Sequence, residues 1–155
     1  MLNNSNSRRA LLWAGLLCGV LDITAAFVVY GLLYRVKPGR ILQGIASGLL
    51  GSNAFDGGVA TALLGLLCHF VIAFGAAAVY LLASRGIPFL MQHAVISGIL
   101  YGVAVYFFMN LVVLPLSAAA PRPFSFKTML IGIVIHVFCV GLPISLTIRR
   151  FVASA

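Results

Sequence analysis

Apolar residues run through this chain in four long blocks, each closed by charged or helix-breaking residues. The first extends from Ala10 to Tyr34, between Arg8-Arg9 and the cluster Arg35, Lys37 and Arg40. The second covers Val59 to Ser84 and stops at Arg85-Gly86. The third runs from Ala94 to Leu116, ending at Pro115, and the fourth from Thr128 to Ile148, before Arg149-Arg150. A helix needs about 20 apolar residues to cross roughly 30 Å of hydrocarbon, so each block predicts one transmembrane span. The predicted spans are 10–34, 59–84, 94–116 and 128–148. Lipid-facing segments must satisfy their own backbone groups, which makes the spans helical. Trp13, Tyr30, Tyr34 and Tyr80 fall near the predicted ends, as interfacial aromatics do.

A shorter apolar run, Ile41 to Leu50, lies between the first two blocks. Its ten residues make a helix of only about 15 Å, too short to cross. Pro38-Gly39 precedes it and Gly51-Ser52-Asn53 follows. It reads as an interfacial or half-inserted helix, in which Gly44-Ile45-Ala46-Ser47-Gly48 permits close packing; a helix that merely covers the bundle is the plainer reading. Asp56, before Gly57-Gly58, is expected to cap the second span. Thr24-Ala25-Ala26 has the small residues of a signal-peptide cleavage site. The apolar run nevertheless continues through Phe27 to Tyr34, so an uncleaved anchor is expected. The expected fold is therefore all-α: one membrane domain over residues 1–155, with four transmembrane helices and a short peripheral helix at 41–50.

Composition agrees with this solvent. Hydrophobic residues make up 63% of the chain and charged ones 8%, against about 45–50% and about 25% in soluble domains. That excludes a soluble globular enzyme, a disordered chain and a coiled coil. Asp22 and Asp56 are the only acids, and the net charge is +8. In a soluble domain such an excess points to nucleic acid. Here the basic residues sit at the ends of spans, so the expected partner is the lipid bilayer and no nucleic acid. With both termini on one side, that side carries Arg8, Arg9, Arg85, Arg149 and Arg150, and the other Arg35, Lys37, Arg40, Arg122 and Lys127. Five against five gives no orientation. Cys18, Cys68 and Cys139 all fall within spans and form no disulfide framework. No CxxC, Walker A, GxSxG or HExxH motif occurs, so no enzyme activity, cofactor or metal is expected.

Each span carries a strongly polar residue in its interior: Asp22, His69, Asn110 and His136. An Asp near the bilayer midplane costs about 2.5–3.5 kcal/mol on insertion scales, so it should face protein or water. At four-residue spacing these residues share a helix face with small ones. The rows are Ala14, Cys18, Asp22, Ala26; Thr61, Gly65, His69, Ala73, Ala77; Gly98, Gly102, Tyr106, Asn110; and Gly132, His136, Val140. Small residues let helices approach and polar ones bond across the seam. The expectation is a buried polar centre of all four, with Gly15, Gly19, Gly65, Gly98, Gly102 and Gly132 at helix contacts. Several roles for such a centre stay open. It can be an interhelical hydrogen-bond network, or a proton-responsive or proton-conducting site built on His and Asp. It can be a metal site of His69, His136, Asp22 and a Cys, a haem held between the two histidines, or a path for a small solute. His93, in the loop after the second span, is expected to be solvated or interfacial.

From the second span onward the chain resembles the YagU-like family of bacterial inner-membrane proteins. The pattern is His69, Tyr80 eleven residues later, Gly98, Gly102, Pro115-Leu116, Pro121 and Pro123, His136 and the terminal Arg149-Arg150, over about residues 65–150. The chain departs from it at Asn110, where the family's third span has a histidine. The resemblance implies a multi-pass protein of the bacterial inner membrane with both termini cytoplasmic, and no reaction. Two functional classes follow: a pH-responsive or small-solute or proton transport bundle around the polar centre, and a structural or assembly subunit. The latter would bind a second copy or another membrane protein through its small-residue helix faces.

Overall fold

The apolar blocks fold as helices that outrun the blocks themselves. The structure, a computed structural model, describes residues 4–121 and 123–153. In chain order the helices are α1 (Asn4–Tyr34), α2 (Pro38–Leu50), α3 (Gly58–Gly86), α4 (Pro88–Gln92), α5 (Ala94–Leu116) and α6 (Phe126–Val152). The shortest long helix, α5, has 23 residues, or about 35 Å, so all four long ones can cross about 30 Å of hydrocarbon. By length and hydropathy the chain is a multi-pass membrane protein. With four spans, α4 and both ends of the described chain lie on one face, here the terminal face. The opposite face carries α2 and the α5–α6 connection. Arg122, counted above with that connection, lies outside the described residues.

Local chemistry sets boundaries that apolar length does not. α1 begins six residues before its apolar block, because polar residues propagate a helix once it is nucleated. At α6 the Ser125 hydroxyl accepts the Thr128 N–H, which starts the helix before Thr128. α2 starts at Pro38 rather than Ile41, since proline is preorganised for the first helical turn. Asp56 is not the cap of the second span. Residues Gly51–Phe55 form a 3-10 turn that ends at Asp56, and α3 is preceded by Gly57 with no side-chain cap. His93 is exposed after α4 and stacks on Phe89 at 4.6 Å.

The neighbours of each helix are few. α1 packs against α3 and α6, α2 lies on α3, and α5 leans mainly on α6. A Cβ at Gly65 would run into the Leu42 carbonyl, so this glycine is what lets α2 rest directly on α3. The Gln43 side chain donates to the Gly58 carbonyl at 3.0 Å, and Ala118 N–H donates to the Gly48 carbonyl at 2.9 Å. These bonds tie α2 along the face opposite the termini.

The core is one-sided. It consists of Ala10, Ala14 and Cys18 of α1, Ala73, Ala77, Tyr80 and Leu81 of α3, and Val140, Ile144 and Ile148 of α6. All lie in the half of the bundle nearer the terminal face. Tyr80 is 1% exposed, so it is a core residue and not an interfacial aromatic. In the other half the described residues of α1 beyond Ile23, α5 beyond Gly102 and α6 before Val140 include none that is buried.

α5 and α6 share a second irregularity. Each contains a π-helical turn, Met109–Val113 in α5 and His136–Gly141 in α6. Each turn is followed within two residues by a proline, Pro115 or Pro143. Proline lacks an N–H and its ring clashes with the carbonyl four residues back, so a widened turn ahead of it relieves the clash.

Candidate functional site

His69 lies near the middle of α3 and is half-buried. Its Nε2–H donates to the Gly19 carbonyl of α1 at 2.8 Å. The partner is a pure acceptor, so the proton sits on Nε2. Gly19 favours the approach, since a Cβ there would lie 2.5 Å from the Phe70 ring and make that ring shift. Asp22 follows Gly19 by less than one turn and is half-buried. Among the described residues no hydrogen bond or ion pair joins it to either histidine.

His136 opens the π turn of α6. Its Nδ1–H donates to the Gly132 carbonyl of its own helix at 2.8 Å. Asn110 lies in the π turn of α5, and its Nδ2 donates to the Tyr106 carbonyl of its own helix at 2.8 Å. Both side chains therefore return to a carbonyl four residues back, at the point where the regular ladder widens. Tyr106 connects them: its ring meets the His136 ring edge-on at 5.4 Å and fills the space a Cβ on Gly132 would need.

The four polar residues thus divide. His69 belongs to the α1–α3 seam, and Asp22 lies on α1 three residues after the glycine whose carbonyl His69 holds. His136 belongs to the α5–α6 seam beside the Tyr106 ring, whereas Asn110 bonds within its own helix. Asn110 is exposed, which corrects the expectation that it is buried. The reason is geometric. Residues four apart advance about 40° around an α-helix, so Asn110 is turned about 120° from Gly98, whose face is buried. Among the described residues no three His, Cys, Asp or Glu side chains come together as a metal ion would require. The ring nitrogens Nε2 of His69 and Nδ1 of His136 are both engaged by backbone carbonyls.

At each of the six glycines singled out by the sequence, a Cβ would collide with a neighbour. The partners are Phe74 at Gly15, Phe70 at Gly19, Leu42 at Gly65, Ser145 at Gly98, His136 at Gly102 and Tyr106 at Gly132. A seventh, Gly141, is packed against the backbone of Gly98 and Gly102. It escaped the sequence reading because it lies off the Gly132–His136–Val140 row.

A hydroxyl-rich seam was also missed. Tyr80 donates to the Leu90 carbonyl at 3.0 Å, and Tyr101 donates to the Ala76 carbonyl at 2.7 Å. The two rings meet at 5.0 Å. Ser97 and Ser145 are buried in this half of the bundle, Ser145 donating to the Leu142 carbonyl at 3.1 Å. The available signal was the row Ala73, Ala77, Tyr80, Ser84, which continues the small-residue face of α3. The two tyrosine hydroxyls anchor helix to helix, while Ser145 bonds within its own helix.

Compared with protein-family models, with curated proteins and with solved structures, the chain finds no match. The class of the protein therefore rests on its four spans.

Proposed function

We propose that this protein is a membrane-embedded assembly subunit that associates with a second copy of itself along the outer half of α5. The observation that carries the reading is exposed Asn110 on the least covered span. Of the most apolar stretch of α5, 6% is buried, against 17% in α1 and 28% in α3 and α6. A polar side chain facing hydrocarbon is costly, and such residues in membranes characteristically face protein. One Asn110 N–H is held by Tyr106; the amide has a second N–H and an acceptor oxygen. A carboxamide offers both roles, so it is self-complementary across a two-fold axis. Two differently tagged copies, co-expressed and solubilised in mild detergent, should co-purify, and Asn110→Leu should abolish this without loss of helicity. Failure of the wild-type copies to co-purify would reject self-association; their co-purification with Asn110→Leu retained would reject the assigned face.

A proton-responsive site keeps one observation in its favour, the position of Asp22 within one helical turn of Gly19, whose carbonyl His69 holds. It requires Asp22→Asn and His69→Phe to be non-additive in stability, because only coupled groups show such a term. Additive losses dispose of it. Residence in the bacterial inner membrane with cytoplasmic termini, and a place in the YagU-like family, are part of the proposal and rest on the sequence resemblance. The protein is proposed to act without catalysing a reaction.

A further inference from the structure

The terminal face holds a cleft between α1 and α3 that neither seam uses. Its volume is about 270 Å³, and it is lined by Ser7, Arg8, Leu11, Ala78, Leu81, Leu82 and Arg85. The antiparallel packing of the two helices explains this lining, since the first turns of α1 meet the last turns of α3. The two guanidinium-bearing residues and Ser7 stand toward the helix ends. Leu11, Ala78, Leu81 and Leu82 lie further along the spans, toward the hydrocarbon. No carboxylate lines the cleft. Ser7 is 7% exposed, and its hydroxyl has no hydrogen-bond partner among the described residues. A buried hydroxyl left unpaired is costly, so one that lines a cleft calls for a ligand atom that can accept.

We infer that this cleft is a binding site for an anionic phospholipid, with its phosphodiester between Arg8 and Arg85 and an acyl chain along the leucine floor. The proposal is independent of self-association through α5. Guanidinium groups present a planar fork matched to phosphate oxygens, and two of them from different helices define a site for one phosphodiester. Basic pockets between transmembrane helices are recognised sites for lipid head groups. The Ser7 hydroxyl supplies a third donor. The volume lies just below the roughly 300–1,000 Å³ typical of ligand sites, suited to a head group with the start of one chain. The bilayer beside the cleft supplies that chain.

A free phosphate ion shares the head-group chemistry, so the test separates the two. The full-length protein in neutral detergent is titrated with phosphatidylglycerol, with phosphatidylcholine and with inorganic phosphate, and bound species are counted by native mass spectrometry. One phosphatidylglycerol should bind about tenfold more tightly than phosphatidylcholine, and inorganic phosphate should not displace it. Arg8→Gln with Arg85→Gln should lower phosphatidylglycerol affinity by about tenfold or more, and Ser7→Ala by about threefold. Arg9→Gln, outside the cleft on the same face, should leave it unchanged. If the double variant fails to fold, Ser7→Ala carries the test. Equal affinity for the two lipids, an effect of Arg9→Gln matching that of the cleft variants, or displacement by inorganic phosphate would each overturn the assignment.

Discussion

Glycine decides at single positions how closely these helices approach, and the cost of losing it depends on what stands opposite. At Gly102 a new Cβ would lie 2.6 Å from the His136 carbonyl oxygen and 2.7 Å from the Val137 Cα, both backbone atoms. At Gly19 it would meet the Phe70 ring, which can turn aside. Gly102→Ala should therefore cost about 1–3 kcal/mol of stability, the usual range for overpacking, and more than Gly19→Ala. Leu100→Ala, at a position 60% exposed, should cost less than either. Thermal unfolding in detergent gives the order, and equal losses would contradict the α5–α6 contact. His69→Phe preserves a ring but removes the bond to the Gly19 carbonyl, and should cost about 1 kcal/mol in the same assay. The sequence discloses these glycines because small residues recur at regular spacing. It does not disclose how Asn110 faces, because a four-residue row drifts around the helix and the π turn at Met109–Val113 interrupts it.

At the scale of elements, hydropathy makes the four spans legible and leaves their ends and irregularities unread. The start of α2 at Pro38, the 3-10 turn that displaces Asp56 from its expected cap, and the π turns ahead of Pro115 and Pro143 all follow from local backbone geometry, at three of these places that of a proline. Apolar length carries no record of them. Tyr80 looked interfacial because it lies near the end of its apolar block, yet α3 continues to Gly86 and its last turns pack into the core. α2 itself has 13 residues, or about 20 Å, and cannot cross. Cysteines introduced at Gly39 and Asn53, with Cys18, Cys68 and Cys139 replaced, should react with an impermeant maleimide from the same side of sealed vesicles. A cysteine at Gln92 should react from the other side. Labelling of Gly39→Cys and Asn53→Cys from opposite sides would refute this topology. His136→Phe should cost about 1 kcal/mol through loss of the bond to the Gly132 carbonyl, while keeping the edge contact with Tyr106. No loss on thermal unfolding would show that the π turn of α6 does not depend on that bond.

At the far end the molecule is covered mainly where α2 lies on α3. Its core joins α1, α3 and α6 near the terminal face, while the far halves of α1, α5 and α6 bury no described residue. A helix in lipid gains little from hiding apolar surface, so association there depends on close packing and on polar side chains. Asn110 is such a side chain, exposed on the span with the least cover. Self-association along α5 would satisfy it and cover the open half. The most direct measurement is single-molecule photobleaching of the protein, labelled with one fluorophore per chain and reconstituted at high dilution in liposomes. Wild-type protein should bleach predominantly in two steps, and Asn110→Leu in one. One-step bleaching of the wild type, or two-step bleaching that survives Asn110→Leu, would contradict association through this face.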